Sequence, residues 1–248
     1  MKITFIHHSS FLVELNDTIL LFDYFKGGQF KSWYFGGTLP ELPKEKNFFL
    51  FSSHKHRDHF DMDNLKLAAI YPNIHFVFAK DCKMTKKFLN NHGYEDDILE
   101  RITYVSANQE YQLKNITIKT LRSTDAGVAF HVTAEEKEIY HGGDLNWWHW
   151  LGIDDSANEQ MATDYKREID KLQDTHFDVA FVPMDSRQRK YAFLGFDYFF
   201  KHVQTDLIVP MHMWQNYSYI KKYKDTIEDK KLTERIMEIT GENQIICI

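Results

Sequence analysis

Asn47-Phe48-Phe49-Leu50-Phe51-Ser52-Ser53-His54-Lys55-His56-Arg57-Asp58-His59 is the stretch whose reading decides the fold of this chain. The apolar run from Asn47 to Phe51 reads as a strand, and directly after it three imidazoles and one carboxylate fall within six residues. That density of donors points to metal, neutral imidazole being the commonest protein ligand. In an extended stretch alternate side chains share a face. His54 and His56 can therefore grip one ion, while the turn that follows can swing Asp58 and His59 toward a second. The bland alternative is a set of solvated surface histidines. Lys55 and Arg57 read as exposed spacers rather than substrate contacts, since charged side chains are mostly solvated.

Upstream of this stretch the chain reads as short strands, Lys2 to Ile6, Ser10 to Leu15 and Thr18 to Phe22, with Asn16-Asp17 as the hairpin turn between the last two. Residues 24 to 47 carry Gly27-Gly28, Gly36-Gly37, Pro40 and Pro43 and are expected to form a long loop. Downstream, Asp61 to Ile70 and Lys80 to Asn91 read as helices flanking a strand near His75 to Ala79. Strands return at Ile102 to Val105, Ile116 to Leu121, Val128 to Val132 and Lys137 to Tyr140, which implies a second sheet. Ser156 to Gln173 is a helix candidate. Val179 to Val182, Leu207 to Pro210 and Gln244 to Cys247 are short strands with helices between them, including Tyr217 to Ile227 and Leu232 to Ile239. The fold class is α/β, two packed sheets with helices outside.

A chain of 248 residues with 43% hydrophobic content can bury a substantial core, and no linker or short repeat divides it. A single domain over residues 1–248 is the expectation. The net charge of −6, without a basic tract, argues against nucleic acid as a partner. The N-terminus runs at once into polar His7-His8-Ser9-Ser10, so no signal-peptide apolar region develops, and no run reaches transmembrane length. A soluble cytoplasmic protein with no membrane contact is expected. Cys82 and Cys247, the only cysteines, stand far apart and outside any zinc spacing, which suits packing roles in a reducing compartment.

Further donors stand at strand ends. His141-Gly142-Gly143-Asp144 follows the strand ending at Tyr140, and the paired glycines permit the tight backbone that would aim Asp144 across the top of a sheet. Asp144 is the preferred bridging carboxylate, although a Gly-Gly-Asp turn also has ordinary uses. Val209-Pro210-Met211-His212 follows another apolar run and makes His212 a terminal ligand or, equally, a structural residue.

The order of His8-Ser9, Asp23 closing an early strand, the His54 to His59 motif, Gly143-Asp144 and Pro210-Met211-His212 resembles the metallo-β-lactamase superfamily. The likeness is to the branch of small cytoplasmic hydrolases that includes the ascorbate-6-phosphate lactonases. It spans nearly the whole chain. The resemblance implies a four-layer αβ/βα sandwich with a metal site at one edge, and ligands at His54, His56, Asp58, His59, Asp144 and His212. That superfamily usually supplies one more histidine before the bridging carboxylate, where this chain reads Arg122-Ser123-Thr124-Asp125-Ala126-Gly127. His8 and Asp125 are candidates to fill the gap, and Asp185 is a third additional site candidate. Two divalent ions are implied, zinc first, with oxygen donors in place of an imidazole moving preference toward manganese or iron.

The leading expectation is hydrolysis of a small ester, lactone or phosphorylated molecule by a metal-bound hydroxide, with Asp58 as the catalytic side chain that orients it. Trp147, Trp148, Trp150 and Trp214 lie close in sequence to Asp144 and His212 and read either as a pocket wall or as core. The loop Gly27 to Gly37 is a lid candidate, and Arg122, Arg187 and Arg189 are available for anions. The rival readings are a degenerate, non-catalytic member that binds a metal or a partner, and a redox member working at iron.

Overall fold

The computed structural model describes all residues, Met1–Ile248. Strand Lys2–His7 (β1) leads into Ser10–Glu14 (β2) and Thr18–Phe22 (β3). The expected Asn16-Asp17 turn between β2 and β3 is closed by Leu15 N–H donating to the Thr18 carbonyl at 2.9 Å. Within the expected loop lies a short hairpin, Gly28–Phe30 (β4) with Trp33–Phe35 (β5), whose antiparallel pairing was hidden by the surrounding glycines and prolines. The decisive apolar run forms Asn47–Ser52 (β6), followed by Ile74–Ala79 (β7) and Ile102–Val105 (β8).

Residues Met1–Ser106 and Glu242–Ile248 make up one structural unit and Ala107–Gly241 the other. The first unit holds a seven-stranded sheet in the order C-terminal strand Gln244–Cys247, β1, β2, β3, β6, β7, β8. Pairing is antiparallel up to β3 and parallel from β3 through β6 and β7 to β8. Phe48, Phe49, Leu50 and Phe51 are all buried, as the parallel centre of a sheet covered on both faces requires. One face packs Ile6, Leu12, Leu21, Phe48, Leu50, Phe76 and Phe78 into a single apolar cluster.

The second unit holds a six-stranded sheet of Glu110–Leu113 (β9), Ile116–Arg122 (β10), Val128–Ala134 (β11), Lys137–His141 (β12), His176–Pro183 (β13) and Gln204–Met211 (β14), in that spatial order. It too is antiparallel up to β12 and parallel from β12 through β13 to β14. Strand β9 escapes a sequence reading because its residues are exposed or half-buried.

The expected helix Lys80 to Asn91 breaks in two. A 3₁₀ turn at Lys80–Cys82 precedes a short helix, Lys86–Asn91 (α1), because Lys83 is extended and Met84 N–H is taken by the Tyr104 hydroxyl at 3.2 Å. The segment after the histidine motif is likewise a 3₁₀ helix, Met62–Ala69. Helix Asp155–Ile169 (α2) starts where the Asp154 carboxylate caps Ser156 N–H, at 2.8 Å. It carries the crossover from β12 to β13, and Leu194–His202 (α3) carries that from β13 to β14. After Ser218–Thr226 (α4), the expected helix Leu232 to Ile239 is overturned: only Lys230–Thr233 (α5) is helical. The Ile208 amide and carbonyl in β14 bond Arg235 O and Met237 N at 2.7 and 2.8 Å, so the sheet edge captures the segment as a strand-like bridge. No helix is long and apolar enough to cross a membrane.

Candidate metal centre

In both units the donor residues stand just beyond the carboxyl ends of parallel strands, the end of an open α/β sheet where ligands gather. In the first unit Asp23 N–H donates to the Phe51 carbonyl at 2.9 Å, which prolongs the β3–β6 ladder by one residue. A φ of 45° then turns the chain away. The carboxylate this leaves at the strand end is fully buried. Its Oδ1 accepts from Ser53 N–H and its Oδ2 from the Ser53 hydroxyl, both at 2.7 Å. His59 Nδ1 lies 2.7 Å from the same Oδ2. The ring proton of His59 is therefore on Nδ1, and the lone pair is on Nε2.

Ser53 fixes a second imidazole. Its hydroxyl proton goes to Asp23, so the 3.0 Å contact between Ser53 Oγ and His54 Nδ1 has the ring as donor. His54 Nε2 is then also a lone-pair donor. The turn after His54 closes through His59 N–H and Phe60 N–H, both donating to the His56 carbonyl at 2.9 Å. The ring of His54 ends 4.4 Å from that of His56 and 4.2 Å from that of His59. His54 and His59 are buried, whereas His56 is exposed. Imidazoles this close can share one cation through their ring nitrogens.

His8, the candidate raised for the gap, follows β1 with a φ of 49°. Its Nε2 is 3.3 Å from Asp58 Oδ2, and His59 Nε2 is 3.8 Å from that same oxygen. The ligand atoms of His8, Asp58 and His59 lie within 4.8 Å of one another. Donors about 2.0 Å from one tetrahedral ion stand roughly 3.3 Å apart. The His8–Asp58 spacing fits that requirement, which groups His8 with Asp58 and His59 rather than with His54 and His56. The neighbouring His7 is different: burial pulls its pKa down to about 4, and it sits neutral against Phe25 and Phe35 as a core residue.

The second unit repeats the device. After β12, Gly143 adopts a φ of 51°, the left-handed conformation that glycine takes at little cost. Leu145 N–H closes the turn on the Gly142 carbonyl at 2.8 Å, and Trp148 Nε1 holds the Asp144 carbonyl at 3.0 Å. His212 follows β14 with a φ of 60°. Its Nε2 lies 3.4 Å from Asp144 Oδ1, again a spacing that fits two ligands of one ion, and its Nδ1 lies 3.0 Å from Asp185 Oδ2. Asp185, at the end of β13, is fully buried. Burial would raise its pKa, but His212 and Arg187 outweigh that and hold the carboxyl well below the usual range. Trp214 Nε1 adds a bond at 3.2 Å. Asp185 thus stands behind His212 as Asp23 stands behind His59.

Asp125 is exposed, and it lines, with Asp144, Trp148, Trp150 and Arg187, a cleft of about 170 Å³ in the second unit. In the turn where the superfamily usually carries one more histidine, Ser123 N–H reaches the Gly127 carbonyl at 3.4 Å and the Thr124 hydroxyl donates to Asn146 O at 2.6 Å. Sequence reading missed Ser53, for which a serine before a histidine gives no signal. It also gave no role to Asp23, whose histidine lies 36 residues away, and it raised Asp185 as an additional site candidate without the link to His212, 27 residues away.

Three solved structures share the fold. Igni18, a metallo hydrolase from the archaeon Ignicoccus hospitalis, is 17% identical with a TM-score of 0.61, covering 99% of this chain and 97% of its own. An isothiocyanate hydrolase from Delia radicum gut bacteria is 15% identical with a TM-score of 0.56, covering 100% and 99%. CmlA, a diiron β-hydroxylase from Streptomyces venezuelae, is 12% identical with a TM-score of 0.55, covering 86% of this chain and 44% of its own. Hydrolases and a hydroxylase thus share one architecture, so the reaction is a property of the site and not of the fold. No curated protein matches the chain in sequence. The family model of the beta-lactamase superfamily domain matches residues 2–149, more than half of the chain and including the His54 to His59 motif and Asp144, and the chain belongs to that superfamily, with its α/β metallo-β-lactamase fold.

Proposed function

We propose that this chain is a metal-dependent hydrolase of small molecules, working as one metallo-hydrolase domain over residues 1–248, with His54, His56, Asp58, His59, Asp144 and His212 as its metal ligands. The observation that carries this reading is the pair of buried carboxylates behind imidazoles, Asp23 on His59 and Asp185 on His212. A carboxylate on Nδ1 fixes the tautomer and makes Nε2 more basic, which is the support metal-ligating histidines receive. His8 fits as a further ligand by its distance to Asp58.

Two divalent ions, zinc or, with this share of oxygen donors, manganese or iron, would supply a lowered water pKa and polarisation of the acyl or phosphoryl oxygen under attack. The chain's own contribution begins with Asp58. Its carboxylate is nearly buried and faced by two imidazoles, so Oδ2 can orient an attacking water and take its proton. Esters, lactones and phosphorylated small molecules suit such a site. A one-ion site is the second reading, favoured by the absence of an imidazole in Arg122–Gly127. Metal content by plasma mass spectrometry separates the two.

The functional test is His56→Ala, assayed against a panel of lactones and aryl esters. Because His56 is exposed, the substitution leaves stability within about 0.5 kcal/mol. Hydrolysis is expected to be lost with the fold intact, and unchanged turnover would sink the mechanism.

A further inference from the structure

Arg187 occupies an unusual position in the second unit. Its Nε donates to Asp185 Oδ1 and Oδ2 at 3.0 and 2.9 Å, and its Nη2 donates to Oδ2 at 2.5 Å. The guanidinium lies 4.4 Å from the Trp214 ring centroid and 5.8 Å from that of Trp150. Held by a fork on one edge and an indole on its face, the plane is immobilised before any ligand arrives.

Charge compensation of Asp185 accounts for one edge of the guanidinium, Nε and Nη2, and does not use Nη1. That carboxylate is fully buried and already receives Arg187 N–H at 2.8 Å, Trp214 Nε1 and His212 Nδ1. The Arg187 side chain stays 36% exposed and lines the cleft that contains Asp144. Its Nη1 makes no hydrogen bond within the protein. Two charged N–H groups are thus presented at a fixed place beside a candidate metal ligand.

Another wall of the cleft is apolar. Trp148 and Trp150 stack in parallel, 3° apart with centroids at 5.9 Å, and both line the cleft. Gln188, buried, ties the two walls together. Its Nε2 donates to the carbonyls of Trp147 and His149 at 3.0 and 3.4 Å, and its Oε1 accepts from Asn146 Nδ2 at 3.0 Å. The arginine loop and the tryptophan loop are therefore one rigid piece, and a pocket fixed in advance loses little entropy on binding.

We infer that Arg187 reads an oxyanion of the substrate, a carboxylate or a phosphate, while the Trp148–Trp150 wall holds a flat apolar body. The substrate class is a small arylated or unsaturated ester or lactone bearing an anionic group. The inference rests on the reading of Asp144 as part of the active site and adds the specificity determinant. An oxyanion accepts two N–H bonds from a guanidinium, whereas a neutral analogue leaves the exposed charge to water.

Binding is tested by calorimetry on the protein as purified, with metal content measured for every variant, using benzoate and phenylphosphonate as anionic probes and benzyl alcohol as the neutral one. The carboxylate and phosphonate arms show which oxyanion is preferred. Arg187→Met is expected to weaken the preferred anion by roughly tenfold or more while changing benzyl alcohol by less than about twofold. Arg187→Lys keeps the charge opposite Asp185 and is expected to fall between. Trp150→Leu, which leaves Asp185 and its partners in place, is expected to weaken charged and neutral aromatic probes alike. With 4-nitrophenyl acetate and mono-4-nitrophenyl succinate as a matched pair, Arg187→Met is expected to raise KM for the charged ester by roughly tenfold more than for the neutral one, while any loss transmitted through Asp185 to His212 lowers kcat for both esters alike and cancels in their ratio. Absence of anion binding by the wild type, equal affinity in Arg187→Met, or equal losses for charged and neutral probes would each overturn the inference. Anion binding that depends on Arg187 without hydrolysis of either ester would uphold it and count against the hydrolase reading instead.

Discussion

Replacing Asp23 by Asn tests the support behind the metal ligands without touching one. The carboxylate accepts three bonds at 2.7 Å from a fully buried position, one on Oδ1 and two on Oδ2. An amide keeps one acceptor and places N–H groups where the other oxygen stood. With its oxygen toward Oδ2 it loses the Ser53 N–H bond, and with the opposite orientation it loses both the Ser53 hydroxyl and His59. In either case all three bonds lose their ionic partner. Hydrogen bonds to charged groups contribute about 1.5–3 kcal/mol each. The better orientation gives up one outright and weakens two, a loss of about 2–4 kcal/mol from the metal-free protein.

The metal-dependent loss is separate. Removing an outer partner of a ligating histidine costs about 10–100-fold in metal affinity. With 1.4 kcal/mol per tenfold, that is about 1.4–2.8 kcal/mol. Competition between the protein and a colorimetric chelator, for zinc and for manganese, measures it, with denaturant unfolding of the stripped protein giving the first term. Asp23→Asn with affinity within about twofold of wild type, despite a fall in stability, would refute the orienting role and leave Asp23 as a structural carboxylate.

Ser53→Ala removes the hydroxyl that joins His54 to Asp23 and is expected to lower metal affinity in the same chelator assay, with unaltered affinity counting against the His54 tautomer assigned above. Gly195→Ala would place a Cβ 2.1 Å from Asn146 Oδ1 and 2.9 Å from Trp147 N, and is expected to cost about 1–3 kcal/mol in denaturant unfolding. An unchanged midpoint there would show that the tryptophan loop yields. Leu50→Ala, fully buried in β6, is expected to cost about 2–5 kcal/mol. Asp178 gives a pH dependence: burial pulls its pKa up, but Lys137 at 2.6 Å and the Glu138 N–H at 2.9 Å outweigh that and lower it. Its stabilisation is therefore full above the unfolded pKa of about 3.9 and is lost as pH falls through the folded value. The Tm gap between wild type and Asp178→Asn is expected to close below about pH 4, and a gap that persists in acid would refute the linkage.

The elements legible in the sequence are those whose evidence is local. Strand β6 and its six-residue tail lie side by side in the chain, and Asp144 and His212 each follow an apolar run directly. Where a partner elsewhere decides the conformation, sequence reading fails. Leu232 to Ile239 has helical spacing, yet the β14 edge takes residues 235 to 237 as a bridge. The hairpin Gly28–Phe35 forms among residues that read as loop. Periodicity reports which side chains are buried, not what they meet.

The orienting acids show the limit most clearly. Asp23 follows β3 and Asp185 follows β13, and each meets a histidine that follows the neighbouring parallel strand, β6 or β14. The pairing is thus a property of strand order, which no spacing along the chain encodes. It also sets backbone conformation: Asp23, His8 and His212 all take a positive φ, a region that costs non-glycine residues free energy and persists where the surroundings over-determine it. At Asp23 and His212 that over-determination is visible as the hydrogen bonds themselves. The strain and the buried carboxylates are therefore two aspects of one arrangement, in which stability is given up locally to hold Nε2 atoms in fixed directions. A protein that needed these residues only as core would fill the strand ends with apolar side chains in ordinary conformations, and the cost would vanish.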